Sequence, residues 1–213
     1  MNDDDEPRMA MYTTLSDDEL LRLMRAGDEN GFITLYRRRQ ENIYRFALRM
    51  SGSEAVAEDV TQEVFIALMG EHVKFDPARG PFTAYLYGIA RNQVRRRIEK
   101  DRPLLPIEDP QEDRVLPEGL VDWTDPLAEL TRREKIDAVR QAVLALPPHY
   151  REVVVLFDLH EMSYVETAQT LGCAVGTVRS RLHRARALLV EKLSAMKMAE
   201  KDRPQTKIAD CLV

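Results

Sequence analysis

The chain has 213 residues, 44% of them apolar, and a formal net charge of −5. That suffices for one or two small packed domains, and no run approaches the roughly 20 apolar residues of a membrane span. The opening MNDDDEPRMAMYTT is acidic without an apolar stretch, so no secretory signal or membrane insertion is expected; Cys173 and Cys211 lack metal-ligand spacing, so neither metal nor cofactor is expected and a reducing cytoplasm fits.

Residues 1–14 read as an acidic flexible N-terminus. From Leu15 to about Lys100 the pattern is helical. Ser16 followed by Asp17, Asp18 and Glu19 is an N-terminal cap with acids toward the positive helix end. Leu20, Leu21, Met24, then Phe32, Leu35, Tyr36, Ile43, Phe46, Ala47 and Met50 recur at helical spacing, with breaks expected at Gly27-Asp28 and Ser51-Gly52-Ser53. A third helix carries Val56, Val60, Val64, Phe65 and Leu68. Phe75 to Pro81 has two prolines and a glycine and reads as a loop, and Phe82 opens a fourth helix with Leu86, Ile89, Ala90, Val94 and Ile98.

Residues 101–126 hold five prolines and many acids and read as a flexible linker, in which Trp123 would anchor the segment to the next domain. Helix is expected again from Leu127 to Leu146, with Leu130, Ile136, Val139, Val143 and Leu146 as its stripe, ended by Pro147-Pro148. Another helix spans His149 to Leu159, with Val153, Leu156 and Phe157 inward. Next come two helices joined by a tight turn. Ser163 and Glu166 form a capping box, Val165, Ala168 and Leu171 an inward face, and Gly172 the left-handed stop. The second helix starts near Val175 and buries Val178, Leu182, Ala185 and Leu189, leaving Arg179, Ser180, His183 and Arg184 outside. This is the layout of a helix-turn-helix, whose arginines can fork onto a guanine edge or clamp phosphate. Residues 197–213 read as a polar tail.

The negative total does not oppose nucleic-acid binding, because charge is segregated. The first twenty residues and 101–125 are acidic, whereas 91–100 and 179–197 are basic, and basic patches contact phosphate locally. The fold class expected is therefore all-α: two small helical domains, 15–100 and 127–196, joined by an acidic flexible linker, the second ending in a helix-turn-helix.

Five strings in order, Asp18 to Met50, Ala57 to Leu68 (AEDVTQEVFIAL), Phe75 to Arg97 (FDPARGPFTAYLYGIARNQVRRR), Leu146 to Gly172 and Val175 to Leu189 (VGTVRSRLHRARALL), resemble the extracytoplasmic-function sigma factors of bacterial RNA polymerase. They cover about three quarters of the chain. The resemblance implies a non-catalytic initiation factor whose partners are core RNA polymerase, promoter DNA and an anti-sigma protein. It implies core binding through Glu58, Asp59, Gln62 and Glu63. It assigns capture of melted −10 bases to Phe75, Arg79, Phe82, Tyr85, Arg91, Asn92, Arg95 and Arg96, with Tyr87 and Arg97 as further contributors. Thr177, Arg179, Ser180, His183, Arg184 and Arg186 would read the −35 duplex. The chain departs from the family pattern at Met69 and at Ala84-Tyr85, where tryptophan is common, which bears on the aromatic contacts. The alternative is a conventional helix-turn-helix regulator of duplex operators, and its N-terminal half would bind a ligand, a phosphoryl group or a second protomer. An enzyme is disfavoured by four scattered histidines and no Gly-rich phosphate loop.

Overall fold

The structure, a computed structural model, describes residues 11–70, 75–101 and 131–201, with backbone alone at 101 and 197–201. The linker from 102, Trp123, Leu127 to Leu130, Cys211 and the chain before residue 11 lie outside the described residues. All regular structure among the described residues is helical.

Helix α1 (Asp17–Arg25) starts on the Ser16 capping box. The Ser16 hydroxyl accepts from the Glu19 amide, and the Glu19 carboxylate accepts from the Ser16 amide at 2.8 Å. Helix α2 (Glu29–Ser51) is capped by Asp28 and stops at Gly52, whose φ of +74° is the left-handed turn glycine adopts without penalty. Helix α3 (Glu54–Met69) begins on Ser53. After a 3-10 turn (Pro77–Arg79), helix α4 (Phe82–Asp101) closes the N-terminal unit. Leu35, Ile43 and Phe46 of α2, Val60, Val64 and Leu68 of α3, and Leu86, Ala90 and Val94 of α4 fill its interior.

The C-terminal unit begins with α5 (Arg132–Leu144), held by a Thr131–Glu134 capping box. Ile136 departs from expectation at 44% exposure, because the first turns of α5 project past the helices that cover Ala142 and Val143. Helix α6 (Pro148–Val154) has Pro148 at its first position, where the missing N–H costs nothing. The single helix expected to Leu159 is instead α6 followed by a π turn, Val155–Leu159. The segment is enclosed on several sides, so Val153, Val154, Val155 and Leu156 are all buried, which one face of a regular helix cannot achieve.

Helices α7 (Tyr164–Leu171) and α8 (Val175–Lys201) form the helix-turn-helix, with Ser163 and Glu166 as the capping box and Gly172 at φ +65°. Val165 is a correction: it is 56% exposed, and the inward row is Tyr164, Thr167, Ala168 and Leu171, at helical spacing one residue out of step with it. Helix α8 runs on to Lys201, into the segment expected as a polar tail.

The two units pack against each other, α4 on α7 and α2 on both α5 and the π turn, and their apolar residues form one contiguous core. Two glycines stand at this contact. A Cβ on Gly52 would lie 3.0 Å from Leu144 Cδ1, and one on Gly80 would lie 2.9 Å from Gln169 Cδ.

Candidate nucleic-acid interface

Three surfaces carry the expected site residues. The first is the loop before α4 and α4 itself. Phe75, Phe82 and Tyr85 form an aromatic cluster, with ring centroids 5.5 Å (Phe75–Phe82), 5.4 Å (Phe75–Tyr85) and 6.5 Å (Phe82–Tyr85) apart. Only part of it faces outward. Phe75 and Tyr85 are half-buried, and burial raises the Tyr85 hydroxyl pKa. Phe82, expected to meet DNA, is 3% exposed and fills the core, so its ring face is spent on packing. Tyr87 is buried as well, its pKa pushed up to about 12 by desolvation.

The α4 cations divide in the same way. Arg79, Asn92, Arg95 and Arg96 are exposed, and Arg95 has only a loose pairing to Glu99 at 3.7 Å. Arg91 differs. Its Nε and Nη2 donate to the two Glu152 carboxylate oxygens at 2.7 and 3.0 Å, with side-chain exposures of 17% and 5%. Arg97 is turned toward α3, bonded to Asp59 at 2.6 Å and Glu63 at 2.5 Å, and these bonds raise its pKa.

The second surface is α3. The four polar residues expected to form one face form two rows. Glu58 and Gln62 line a shallow cavity of about 450 Å³ with Tyr36, Gln40, Glu41, Tyr44 and Thr61. Asp59 and Glu63 face α4 and hold Arg97. Ile66 and Met69 are exposed beside these rows, apolar area on an otherwise polar helix.

The third surface is α8. Arg179, Ser180 and His183 are exposed, while Thr177 and Arg184 are half-buried. The Arg179 guanidinium lies 5.2 Å from the centroid of the Tyr164 ring, a cation–π contact that orients it. The Ser180 hydroxyl donates back to the Thr177 carbonyl at 3.0 Å. Arg186 is turned off the reading face: it donates to Asp158 at 2.5 and 3.3 Å, which raises its pKa, and sits over Phe157.

Several residues that matter here escape sequence reasoning. Glu152 is a single carboxylate beside the run Val153 to Val155, a pattern that could have marked it as buried. His160 stands between the units: its Nδ1 is 2.8 Å from Tyr87 Oη and its Nε2 3.3 Å from Arg49 Nη1. An arginine can only donate, so Nε2 accepts and the ring proton sits on Nδ1, donated to Tyr87. Burial first, then Arg49 and Arg45, lower the His160 pKa to about 4.

The sigma-70 region 2 family model matches residues 35–103 and the sigma-70 region 4 model residues 136–189. The chain is 31% identical to the ECF RNA polymerase sigma factor SigW of Bacillus subtilis over 81% of its own length and 94% of that protein's. It is 31% identical to the RNA polymerase sigma-H factor of Pseudomonas aeruginosa, over 87% and 98%. With the ECF RNA polymerase sigma factor SigE of Mycolicibacterium smegmatis it shares 35% identity over 75% of its own length, spanning 60% of that relative. Among solved structures, CnrH in complex with the cytosolic domain of CnrY matches with TM-score 0.60 and 28% identity, covering 86% of this chain and 98% of that one. The sigma factor RpoE of Bartonella quintana, in complex with the anti-sigma factor NepR, shares the fold at TM-score 0.51 and 24% identity, over 72% of this chain and 91% of that one.

Proposed function

The chain belongs to the ECF RNA polymerase sigma factors, and from that premise we propose a division of labour among its surfaces. Its function is that of a sigma factor, directing initiation by core RNA polymerase at a set of promoters. The region 2-like domain, residues 15–100, docks on core polymerase through Glu58, Asp59, Gln62 and Glu63. The loop and α4 take up melted −10 bases, with Phe75 and Tyr85 offering ring faces, Asn92 a base-edge amide, and Arg79, Arg91, Arg95 and Arg96 phosphate contacts. The region 4-like domain, residues 127–196, reads the −35 duplex with Thr177, Arg179, Ser180, His183 and Arg184. Segment 101–126 links the two, and 1–14 and 197–213 flank them. No catalysis belongs to the chain itself, and its place of work is the cytoplasm, where polymerase is. Among the described residues no helix is long and apolar enough to cross a membrane. An anti-sigma protein completes the proposal; the similar CnrH chain was solved bound to the cytosolic domain of CnrY.

One observation carries most of this reading. A single chain exposes an amide and arginines along α4 and, separately, an arginine-bearing helix-turn-helix face on α8. A regulator of duplex operators needs only the second, and it is not favoured, since both sigma regions match. The test is initiation in vitro. Sigma-free core polymerase plus the purified chain should start transcripts at sites mapped after its overexpression. Absence of initiation at every such site would refute the proposal.

A further inference from the structure

Two arginines on one side of α8 lie against aromatic rings, and the rings touch each other. The Arg179 guanidinium is 5.2 Å from the Tyr164 centroid, and that of Arg186 is 5.9 Å from the Phe157 centroid. The two centroids are 4.4 Å apart, with the ring planes tilted by 35°. Arg179 and Arg186 stand about two turns apart on one helix, so both fall along the same side of it. Tyr164 is the first residue of α7, directly after the Ser163 cap. The Ser163 amide donates to the Glu166 carboxylate at 2.9 Å and the Ser163 hydroxyl accepts from the Glu166 amide at 3.2 Å, which fixes that helix end. Phe157 belongs to the π turn and packs on the core. The framework of the C-terminal unit therefore sets both rings before any DNA arrives.

The two arginines differ in what else holds them. Arg186 donates to the Asp158 carboxylate through Nη2 at 2.5 Å and Nε at 3.3 Å, so its charge is matched and two of its donors are used. Arg179 is exposed, and among the described residues no carboxylate pairs with it. A ring face attracts a cation without offering an oxygen acceptor. The charge and the N–H fork of Arg179 thus stay available for a base edge while its direction is restrained. An unrestrained arginine loses rotamer freedom when it binds, and one oriented beforehand loses less. That gain is greatest where the partner also has a fixed direction, as a guanine edge has. A phosphate attracts the charge from many sides and gains less.

We infer that Tyr164, backed by the Phe157 ring, is a positioning residue for −35 recognition: it aims the Arg179 guanidinium at one base pair and sets how sharply that pair is discriminated. The inference rests on the assignment of α8 to the −35 duplex. The ring is the active part and the hydroxyl is not required, so phenylalanine should serve at this position and an aliphatic side chain should not.

The test uses the full chain bound to core polymerase. Initiation is measured on a promoter mapped after overexpression of the chain, and on versions with each −35 base pair replaced in turn. Arg179→Ala identifies the pair that Arg179 reads, as the one whose replacement no longer matters. At that pair Tyr164→Leu should lower discrimination by about fivefold, and Tyr164→Phe by less than about twofold. Discrimination at the other −35 pairs should stay near the parent's in both variants. Added to Arg179→Ala, Tyr164→Leu should cause no further loss at the pair. In the free chain, nuclear magnetic resonance should find the Arg179 Nε–Hε proton shifted upfield by the ring in the parent and in Tyr164→Phe, but not in Tyr164→Leu. A loss spread evenly over all −35 pairs would make Tyr164 a packing residue, and a loss shared by Tyr164→Phe would make its hydroxyl the active group. Either result overturns the inference, as does full discrimination by Tyr164→Leu. If Arg179→Ala keeps every pair discriminated as before, the assignment of Arg179 to the duplex fails first and the inference falls with it.

Discussion

Phe75 and Phe82 are neighbours with opposite exposure. Their ring centroids are 5.5 Å apart, but Phe82 is 3% exposed and Phe75 keeps part of its face in solvent. Emptying the site of a buried phenylalanine removes transfer free energy and leaves a cavity, so Phe82→Ala should cost about 3–5 kcal/mol of stability. Phe75→Ala should cost only about 1 kcal/mol there, yet remove one stacking platform worth roughly 1–3 kcal/mol per base. Denaturant unfolding of both variants, paired with binding of their holoenzymes to single-stranded −10 DNA, separates the two. If Phe75→Ala left strand binding intact, its ring would be a packing residue like its neighbour. The difference between the two rings was not visible in the string FDPARGPF, because both precede or open a helix and only the packing of α4 decides which one turns in.

At the level of helices, what was legible in the sequence is what is local. The Ser16 cap, the Ser163–Glu166 box and the Gly52 and Gly172 stops depend on residues within one turn, and all four form as their spacing predicts. Ile136 and Val165 were misjudged because periodicity says that a side chain shares a face, whereas exposure depends on what covers that part of the helix. The π turn and the Arg91–Glu152 pair, 61 residues apart in sequence, depend on a second unit whose approach no local pattern encodes. Helix α3 illustrates the same limit with a consequence that can be measured. Its acidic residues form two rows, one open beside the α2 cavity and one engaged by Arg97. Glu58→Lys should therefore abolish docking on core polymerase with stability changed by under about 0.5 kcal/mol, as for other exposed sites. Asp59→Lys should impair docking too, but it also sets a cation against Arg97 and loosens α3 from α4 by about 0.5–1 kcal/mol, a partly exposed pair screened by solvent. Core-binding assays and denaturation of the two variants would expose identical behaviour, which the two-row arrangement excludes.

Over the whole molecule, the closed arrangement should respond to acid through His160. The ring lies between the units, with Arg49 and Arg45 from α2, Tyr87 from α4, and Glu161 and Glu166 around the same cavity. Burial and the two arginines lower its pKa from 6.5 to about 4. A depressed native pKa means the native state holds the neutral ring. The stability it confers is complete above about 6.5 and is lost as pH drops from there through about 4. At ~1.4 kcal/mol per unit, the loss amounts to at most about 3.5 kcal/mol, concentrated where the two units meet rather than in either unit's interior. Protonation would also put a donor on Nε2 facing the Arg49 guanidinium, which can only donate, so that contact turns repulsive. Small-angle scattering between pH 7 and pH 4 should then show the chain expanding while each unit keeps its helical signal. His160→Gln retains an amide donor and acceptor without the ionisation, and its expansion should lose the His160-dependent part of that pH response. An unchanged acid limb in His160→Gln would remove His160 from the response.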